Sequence, residues 1–348
     1  MMKSERPDLN NIAPEIRTYI ESLEAELDRY RGLDQANLEE TVTDTEELSP
    51  NEPPTTTNIL AISALGVAKR TPRHLYARQR RGGMGVFDLD ISDEDAPACL
   101  CAADESQSVI LFTDQARAFR LPVNFLTEAS VRERGQTLKP KVTLEAAEKP
   151  VAILPFQAKG AIALVSQRGM VRYLRFHVFG EHMKAGASMF NLAQFGPLAA
   201  ACLTGGDDDL FVATRNGRAI RFSEKLIPPQ GGQGIRLEAD DEVVAIAAVQ
   251  PESQVLLIDA VGRGTIRLMA GFAPNKSTGG SGKIAMNTTS LISAITLANN
   301  DDIFLISRLS KIIRFRANEI PVKEGVVQGV NCMALRADTV VAVAISQC

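Results

Sequence analysis

A short run rich in arginine and glycine has the residue types that bind phosphate. It reads Gln79-Arg80-Arg81-Gly82-Gly83-Met84-Gly85 and is called the box below. Guanidinium groups pair with oxyanions, and glycines let the backbone approach closely, so that exposed N–H groups can donate to phosphate. Gln79 adds a neutral donor and acceptor. We therefore expect the box to contact phosphate groups.

The box lies in a stretch with a strongly positive charge. No Asp or Glu occurs from Pro53 to Phe87, whereas Lys69, Arg70, Arg73 and Arg78 precede the two box arginines. Such a run predicts an electropositive surface. The alternative interpretation is an arginine-rich surface hairpin whose glycines serve only turn geometry.

The formal net charge of −4 hides an asymmetry between two parts of the chain. Residues 1–57 contain 5 basic and 14 acidic side chains, a net of −9, and residues 58–348 contain 33 basic and 28 acidic side chains, a net of +5. The mildly basic body suits a polyanionic partner, and the arm is acidic. The acidic arm either competes for the basic surface of the body or acts as a solvated tail.

Composition and cysteine spacing exclude several classes of protein. The chain has 348 residues, of which 45% are hydrophobic and 23% charged, as in soluble globular proteins. The start carries charge, and no apolar run reaches the roughly 20 residues of a membrane span, so we expect a cytoplasmic protein without a membrane partner. The 5 cysteines are irregularly spaced. We expect no disulfide framework, metal site or cofactor, and no catalytic residues.

The acidic arm divides into a predicted helix and a predicted linker. Within residues 1–32, the apolar positions Ile16, Ile20, Leu23, Leu27 and Tyr30 form one seam of a short amphipathic α-helix. The seam predicts either docking on the chain's own body or a weak homodimer through a short coiled coil. Residues 33–57 are acidic and poor in apolar residues, which predicts a disordered linker.

The body, residues 58–348, contains six copies of one unit of about 48 residues. Short β-branched or apolar runs recur, and two landmarks share one period. The first landmark is a turn position at Gly66, Ala116, Gly169, Gly217, Gly262 and Ser310; the second is a glycine at Gly85, Gly135, Gly186, Gly234, Gly282 and Gly329. Units of several short strands bury their apolar faces by stacking radially, so we predict an all-β fold of six propeller-like blades.

A basic residue recurs three to five positions after the first landmark in every unit. The six are Arg70, Arg120, Arg172, Arg221, Arg267 and Arg314. Equivalent positions on equivalent blades lie around one rim, which predicts a positive track. The alternative interpretation is a set of exposed strand arginines that support solubility.

The box resembles the first-blade signature of the carboxy-terminal domain of the DNA gyrase A protein, Q-R-R-G-G-(K or R)-G, at six of seven positions. Ser130-Val131-Arg132-Glu133-Arg134-Gly135 and the Gln-Gly pairs at 233–234 and 328–329 are also similar to that family. The resemblance covers residues 58–348 and implies a six-bladed β-pinwheel, with strands exchanged between blades, that wraps duplex DNA. Met84 departs from the basic residue of the signature and removes one phosphate contact.

The resulting hypothesis is a free-standing, non-enzymatic pinwheel that binds and bends duplex DNA largely without sequence preference. Nothing in the sequence resembles the gyrase cleavage domain or an ATP-binding loop. Expected partners are duplex DNA and a type II topoisomerase subunit; the alternative function is a protein-interaction scaffold that has lost DNA wrapping. The expected DNA contacts are Lys69, Arg70, Arg73, Arg78, Gln79, Arg80, Arg81, Gly82, Gly83, Gly85, Arg120, Arg172, Arg221, Arg267 and Arg314.

Overall fold

Short apolar runs of about six residues form the sheets of the body. The computed structural model describes residues 52–92, 94–157 and 159–347. The central strands are buried on both faces, as β9 (Ala161–Ser166) and β21 (Asp302–Ser307) show with every residue buried. This explains why their sequences are continuously apolar instead of alternating.

The described chain forms six sheets, which we number as blades in chain order. Each blade has a hairpin followed by an inner strand. The hairpin and inner strands are β1 (Thr57–Ser63), β2 (Val67–Pro72) and β4 (Pro97–Asp104) in blade 1; β5 (Ser108–Thr113), β6 (Arg117–Pro122) and β8 (Pro150–Pro155) in blade 2; β9, β10 (Met170–Arg175) and β12 (Leu198–Thr204) in blade 3; β13 (Asp209–Thr214), β14 (Arg218–Ser223) and β16 (Val243–Val249) in blade 4; β17 (Gln254–Asp259), β18 (Arg263–Leu268) and β20 (Leu291–Leu297) in blade 5; β21, β22 (Lys311–Arg316) and β25 (Val340–Ser346) in blade 6.

The outer strand of each blade comes from the following blade. These short strands are β7 (Gln136–Thr137) on blade 1, β11 (Ala187–Ser188) on blade 2, β15 (Gly232–Gln233) on blade 3, β19 (Lys283–Ile284) on blade 4, β23 (Val322–Lys323) with β24 (Val330–Asn331) on blade 5, and β3 (Val86–Phe87) on blade 6. The six-bladed, strand-exchanged fold is thereby confirmed. Because β3 belongs to blade 1 and pairs with β22, it closes the ring.

Helices are few and short in the described residues. A 3₁₀ turn follows the hairpin of each blade, at Arg73–Leu75, Val123–Phe125, Phe176–Phe179, Glu224–Leu226, Met269–Gly271 and Ala317–Glu319, and one helix, α1, spans Leu192–Phe195. The stretch from each 3₁₀ turn through the outer strand that it leads to is called the exchange segment. None of these helices is long and apolar enough to cross a membrane.

The first landmark marks the last residue of each hairpin turn. All six of its residues have positive φ, from +54° at Ala116 to +82° at Gly262. The first residue of each turn also donates its N–H to the chain just before the inner strand, for example from Ala64 to the carbonyl of Ala96 at 2.8 Å. The six turns are therefore equivalent and lie on one face of the ring, which we call the turn face.

The second landmark marks close contact between an exchange segment and the blade on which it lies. At Gly85, an added Cβ would lie 2.6 Å from the carbonyl oxygen of Ile312 on β22. A side chain at this position would push β3 away from the sheet that it completes, so the sequence needs glycine there.

The hydrophobic core lies between neighbouring blades. One buried cluster joins Leu60 of β1 to Leu111 of β5 and Phe119 of β6, and another joins Phe211 of β13 to Leu257 of β17. Cys99 and Cys101 are buried in β4, and burial raises the pKa of each thiol to about 12. Both cysteines therefore pack as small apolar side chains in their thiol form.

The predicted amphipathic helix within residues 1–32, with its coiled-coil homodimer, lies outside the described residues, as do residues 33–51 of the predicted linker. Residues 52–57, the end of that linker, are described, and Thr57 is the first residue of β1. Their Glu52 carboxylate is ion-paired with Arg73 and Arg314.

Candidate nucleic-acid interface

The box is the part of the blade 1 exchange segment that crosses blade 6. The N–H of Gln79 donates to the carbonyl of Arg314 on β22 at 2.8 Å, and the N–H of Gly82 donates to the carbonyl of Cys332 at 2.8 Å. Ala334 donates its N–H to the carbonyl of Gly83 at 2.9 Å. These bonds attach the box to β22 and to the chain that leads into β25.

The N–H groups of the box glycines all donate to protein acceptors. Besides the bond from Gly82, the Gly83 N–H donates to the carbonyl of Arg80 at 3.2 Å, and the Gly85 N–H donates to Oε1 of Gln79 at 3.3 Å. The expected donation from these N–H groups to phosphate therefore does not fit this structure, because each already has a protein acceptor. The side chains of Gln79, Arg80 and Arg81 are left as the groups of the box that can contact phosphate.

The arginines in and before the box differ in exposure. Arg80 is exposed, and Arg81 is partly buried, with its Nε donating to the carbonyl of Glu319 at 2.8 Å. Arg78 donates through Nε and a terminal nitrogen to the two carboxylate oxygens of Asp302 at 2.9 and 3.0 Å. Arg73 is held by Glu52, Ser346 and Gln347. Arg80 is thus the box arginine most accessible to a ligand.

Lys69 lies in the interior of the ring closure. Its ammonium group contacts Oδ1 of Asp88 at 2.9 Å and donates to the carbonyls of Asp88 and Ser130 at 2.9 and 3.0 Å. The Tyr76 hydroxyl donates to the same Oδ1 at 2.9 Å. Burial raises the pKa of Asp88 above its ordinary value, and burial together with the Asp88 charge raises the pKa of Tyr76. Lys69 therefore has no surface from which to contact DNA.

Four of the six recurrent arginines form hydrogen bonds from one blade to the next. Arg70, Arg221, Arg267 and Arg314 donate to carbonyls in the exchange segment of the following blade, such as Leu126 from Arg70 at 2.8 Å and Phe272 from Arg221 at 3.2 Å. Three of these four, Arg221, Arg267 and Arg314, are buried. The structure does not bring them together as a surface track.

The other two recurrent arginines make different contacts. The guanidinium of Arg120 lies 4.2 Å from the ring centre of Phe156, and Arg172 donates to the carbonyl of Met189. Both are partly buried.

Exposed basic side chains lie instead on and beside the exchange segments, where the sequence predicted the interface only for blade 1, at the box. Since the exchanged strand is the outermost strand of every sheet, these side chains lie on the outer rim. They are Arg80 on blade 6, Arg132 and Arg134 on blade 1, Lys184 on blade 2, Arg236 near blade 3, Lys276 and Lys283 on blade 4, and Lys323 on blade 5. The second glycine landmark was the available signal, because each of them lies within six residues of it.

The rim also carries acids and apolar side chains. Glu128 and Glu133 on blade 1, Glu181 on blade 2 and Glu324 on blade 5 are exposed beside the basic residues. Met84, where the signature has a basic residue, is 51% exposed. Blades 6 and 4 receive exchange segments without any acid from Tyr76 to Phe87 and from Phe272 to Ile284, so the rim is most positive there.

Comparisons with known proteins agree with this geometry. A family model described as the DNA gyrase C-terminal domain, a β-propeller, matches residues 57–96, 107–124, 208–250 and 301–324. The DNA gyrase A protein of Salmonella typhimurium is 29% identical over 284 residues, covering 78% of this chain and 32% of the relative. That of Mycobacterium leprae is 28% identical over 301 residues, covering 82% and 24%. The chain thus spans about a third of these relatives or less.

Solved structures share the fold. The C-terminal domain of DNA gyrase A superposes with a TM-score of 0.74 at 19% identity, covering 84% of this chain and 100% of that domain. The C-terminal domain of DNA topoisomerase IV superposes with a TM-score of 0.60 at 19% identity, covering 84% and 93%. The resemblance that the box predicted is confirmed: the body of this chain is similar in sequence and in fold to the C-terminal domain of the DNA gyrase A protein.

Proposed function

We propose that this pinwheel is a non-catalytic, cytoplasmic protein that binds duplex DNA along its outer rim and bends it. The observation that carries the proposal is the placement of exposed basic side chains at or beside the exchange segment of every blade. A convex rim that contacts phosphates reads no base edges, so binding is largely independent of sequence. The likeness to DNA gyrase A domains supports the proposal and favours a type II topoisomerase as the protein beside which it acts.

The residues of the proposed interface differ in part from those expected from the sequence. Arg78, Arg80, Arg81 and Gln79 remain in it through their partly or fully exposed side chains. Lys69, Arg221, Arg267 and Arg314 are left out because they are buried. Arg132, Arg134, Lys184, Arg236, Lys276, Lys283 and Lys323 are added.

Several blades must contribute contacts for bending to occur. Bending 20 to 30 base pairs by 40 to 90° costs on the order of 1 to 6 kcal/mol. One exposed arginine cannot offset that cost, since an exposed charge pair contributes about 1 kcal/mol or less. If about six phosphates are neutralised, the logarithm of the affinity falls with the logarithm of the salt concentration with a slope near −5.

The binding test compares single changes on and off the rim. Fluorescence anisotropy with a linear duplex across a salt series should give a steep negative slope for the wild type. Arg80→Ala should make that slope shallower by about 0.9, and Met84→Lys should make it steeper by a similar amount. Arg215→Ala is the control, because Arg215 lies on the turn face and pairs with Glu242 at 2.9 Å.

A scaffold that binds only protein is the second candidate function, favoured by the exposed Met84 and the acids on the rim. Absent or salt-independent DNA binding by the wild type would support the scaffold and contradict the proposal. Equal loss of binding in Arg215→Ala and Arg80→Ala would also contradict a rim-specific interface.

A further inference from the structure

The last residue of the outer strand lies at an equivalent position in the six blades. Its side chain is exposed in every blade, and the residue that follows it is buried. On blades 1, 2, 3 and 5 this last residue is polar: Thr137, Ser188, Gln233 and Asn331. On blade 6 it is Phe87, which is 43% exposed, and on blade 4 it is Ile284, which is 48% exposed. The strand position therefore does not itself require a large apolar residue.

Phe87 and Ile284 lie in the two most positive parts of the rim. The exchange segments that end on them are the two without any acid. The exposed Arg80 lies in the segment of Phe87, and the exposed Lys276 and Lys283 lie in the segment of Ile284. A partner that covers both kinds of side chain must carry anionic groups next to an apolar region.

Duplex DNA has this combination, because its stacked bases lie between two lines of phosphates. An apolar side chain that enters the minor groove can separate two stacked base pairs and kink the duplex. We propose that Phe87 and Ile284 are such wedges, each inserted at one base-pair step while the basic residues of its segment contact the flanking phosphates. The inference rests on the proposed DNA binding and adds to it the residues that cause the bend.

The position of the two wedges on the ring favours DNA over an anionic membrane. Blade 5 lies between them, since its inner strand β20 contacts β16 of blade 4 and β25 of blade 6. A duplex that bends around the rim meets both wedges, whereas a flat membrane touches a convex rim at one place. Separating a base-pair step costs least at TA and CA/TG steps, so the wedges favour DNA that contains them without contacting base edges.

The test measures base unstacking with 2-aminopurine, an adenine analogue whose fluorescence rises when stacking is lost, placed at TA steps of a linear duplex. The wild type should raise the fluorescence about twofold and bind this duplex on the order of tenfold tighter than a duplex without pyrimidine–purine TA or CA/TG steps. Phe87→Thr with Ile284→Thr introduces the residue that blade 1 has at this position. It should abolish both effects and leave the salt slope unchanged, because it removes no charge.

Two controls separate the wedges from a general loss of apolar surface or of fold. Phe87→Leu with Ile284→Leu should keep both effects, because a large apolar side chain remains at each position. Val261→Thr with Leu309→Thr should also keep them, since these exposed apolar residues lie in hairpin turns on the turn face. Threonine favours strands, so the outer strands should persist in the first variant, which circular dichroism would verify.

The outcomes distinguish the wedges from the proposed function. DNA binding by the wild type with the expected salt slope, but without a rise in fluorescence, would overturn the wedges and leave the proposed function intact. Absence of DNA binding would overturn both. If the threonine variant lost binding to phosphatidylglycerol vesicles but still unstacked DNA, the apolar residues would serve an anionic membrane, and the inference would be wrong.

Discussion

The arginine and lysine side chains at the ring closure mainly hold neighbouring blades together through internal hydrogen bonds and ion pairs. A buried guanidinium needs several acceptors, and the carbonyls of an incoming exchange segment supply them. Arg314 contacts Asp302, Glu52 and the carbonyls of Arg73 and Tyr76, so one side chain joins blade 6, blade 1 and the residue at the start of the described chain. This explains why an arginine recurs without forming a rim contact.

Replacing Lys69 should strongly destabilise the fold. Lys69→Met would leave Asp88 buried beside Tyr76 without its cation, which costs about 3 to 5 kcal/mol for a buried pair. Urea unfolding measures the loss. Adding Asp88→Asn should recover part of it, because the amide oxygen can still accept from Tyr76.

Lys139→Met, at an exposed position, is the control and should have little effect. If Lys69→Met were as stable as the wild type and weakened only DNA binding, Lys69 would be a surface contact after all.

Asp302 should make the blade 6 junction sensitive to acid. Burial would raise the pKa of Asp302, but hydrogen bonds and charges from Arg78 and Arg314 hold it below its ordinary value. An acid with a lowered pKa in the folded state stabilises the fold above its unfolded pKa of about 3.9 and loses that contribution as the pH falls through its folded pKa.

The pH dependence can be measured by comparing Asp302→Asn with the wild type. At pH 7 the variant should be less stable by about 1.5 to 3 kcal/mol, the range for hydrogen bonds to charged groups. The difference should shrink as the pH falls from about 5 toward 3. A difference that stays constant over this range would contradict the role of the Asp302 charge. Glu252→Gln, at an exposed position, should follow the wild type.

Each hairpin turn ends on a residue in the left-handed conformation that also lies close to another part of the chain. Ala116 and Ser310 show that the left-handed conformation tolerates side chains in some blades. At Gly217 the chain just after the exchange segment lies closer, since an added Cβ would lie 2.1 Å from the carbonyl oxygen of Met286. Contact between elements, more than φ, therefore decides where this position must be glycine.

Gly217→Ala should destabilise the protein by more than the roughly 1 to 2 kcal/mol of left-handed strain, because the backbone clash adds to it. Gly325→Ala is the control, since nothing lies within 4 Å of its added Cβ. The control should be neutral or slightly stabilising through the unfolded state. Urea unfolding of both variants tests this contrast, and equal effects would refute it.

The described part of the chain is a closed ring whose final blade needs a strand from the first. That closure puts Arg80 on the rim of blade 6, far along the chain from the β22 on which it lies. DNA that follows the rim passes the two segments without acids, on blades 6 and 4, and the mixed charges between them. We expect all blades to contact the DNA, with the strongest contacts at blades 6 and 4.

Bending should appear as faster circularisation of short DNA. Ligase closes fragments near the persistence length of about 150 base pairs slowly, because the duplex resists bending. The protein should raise the rate at least tenfold, and Arg80→Ala with Lys283→Ala should remove most of that gain. Arg215→Ala should not. Tight binding by the wild type without faster closure would mean that the rim holds DNA without bending it.

Local features of the sequence determined the strands, the turns and the number of blades. Runs of apolar residues define strands because burial acts on each strand separately, and a turn residue with positive φ is set by its immediate neighbours. The repeat period followed from the spacing of the strands and of the turn residues. The resemblance of the box to a known signature supplied the strand exchange, which no local pattern reveals.

Only the tertiary structure decided which basic residues are buried. Lys69 is enclosed by Asp88 and by the carbonyl of Ser130, 19 and 61 residues away, and Arg221 by the carbonyls of Met269 and Phe272. Whether a charged side chain faces water depends on which distant segment lies over it. Because each exchange segment crosses to another blade, a repeat position can predict equivalence between residues, but it cannot predict their exposure.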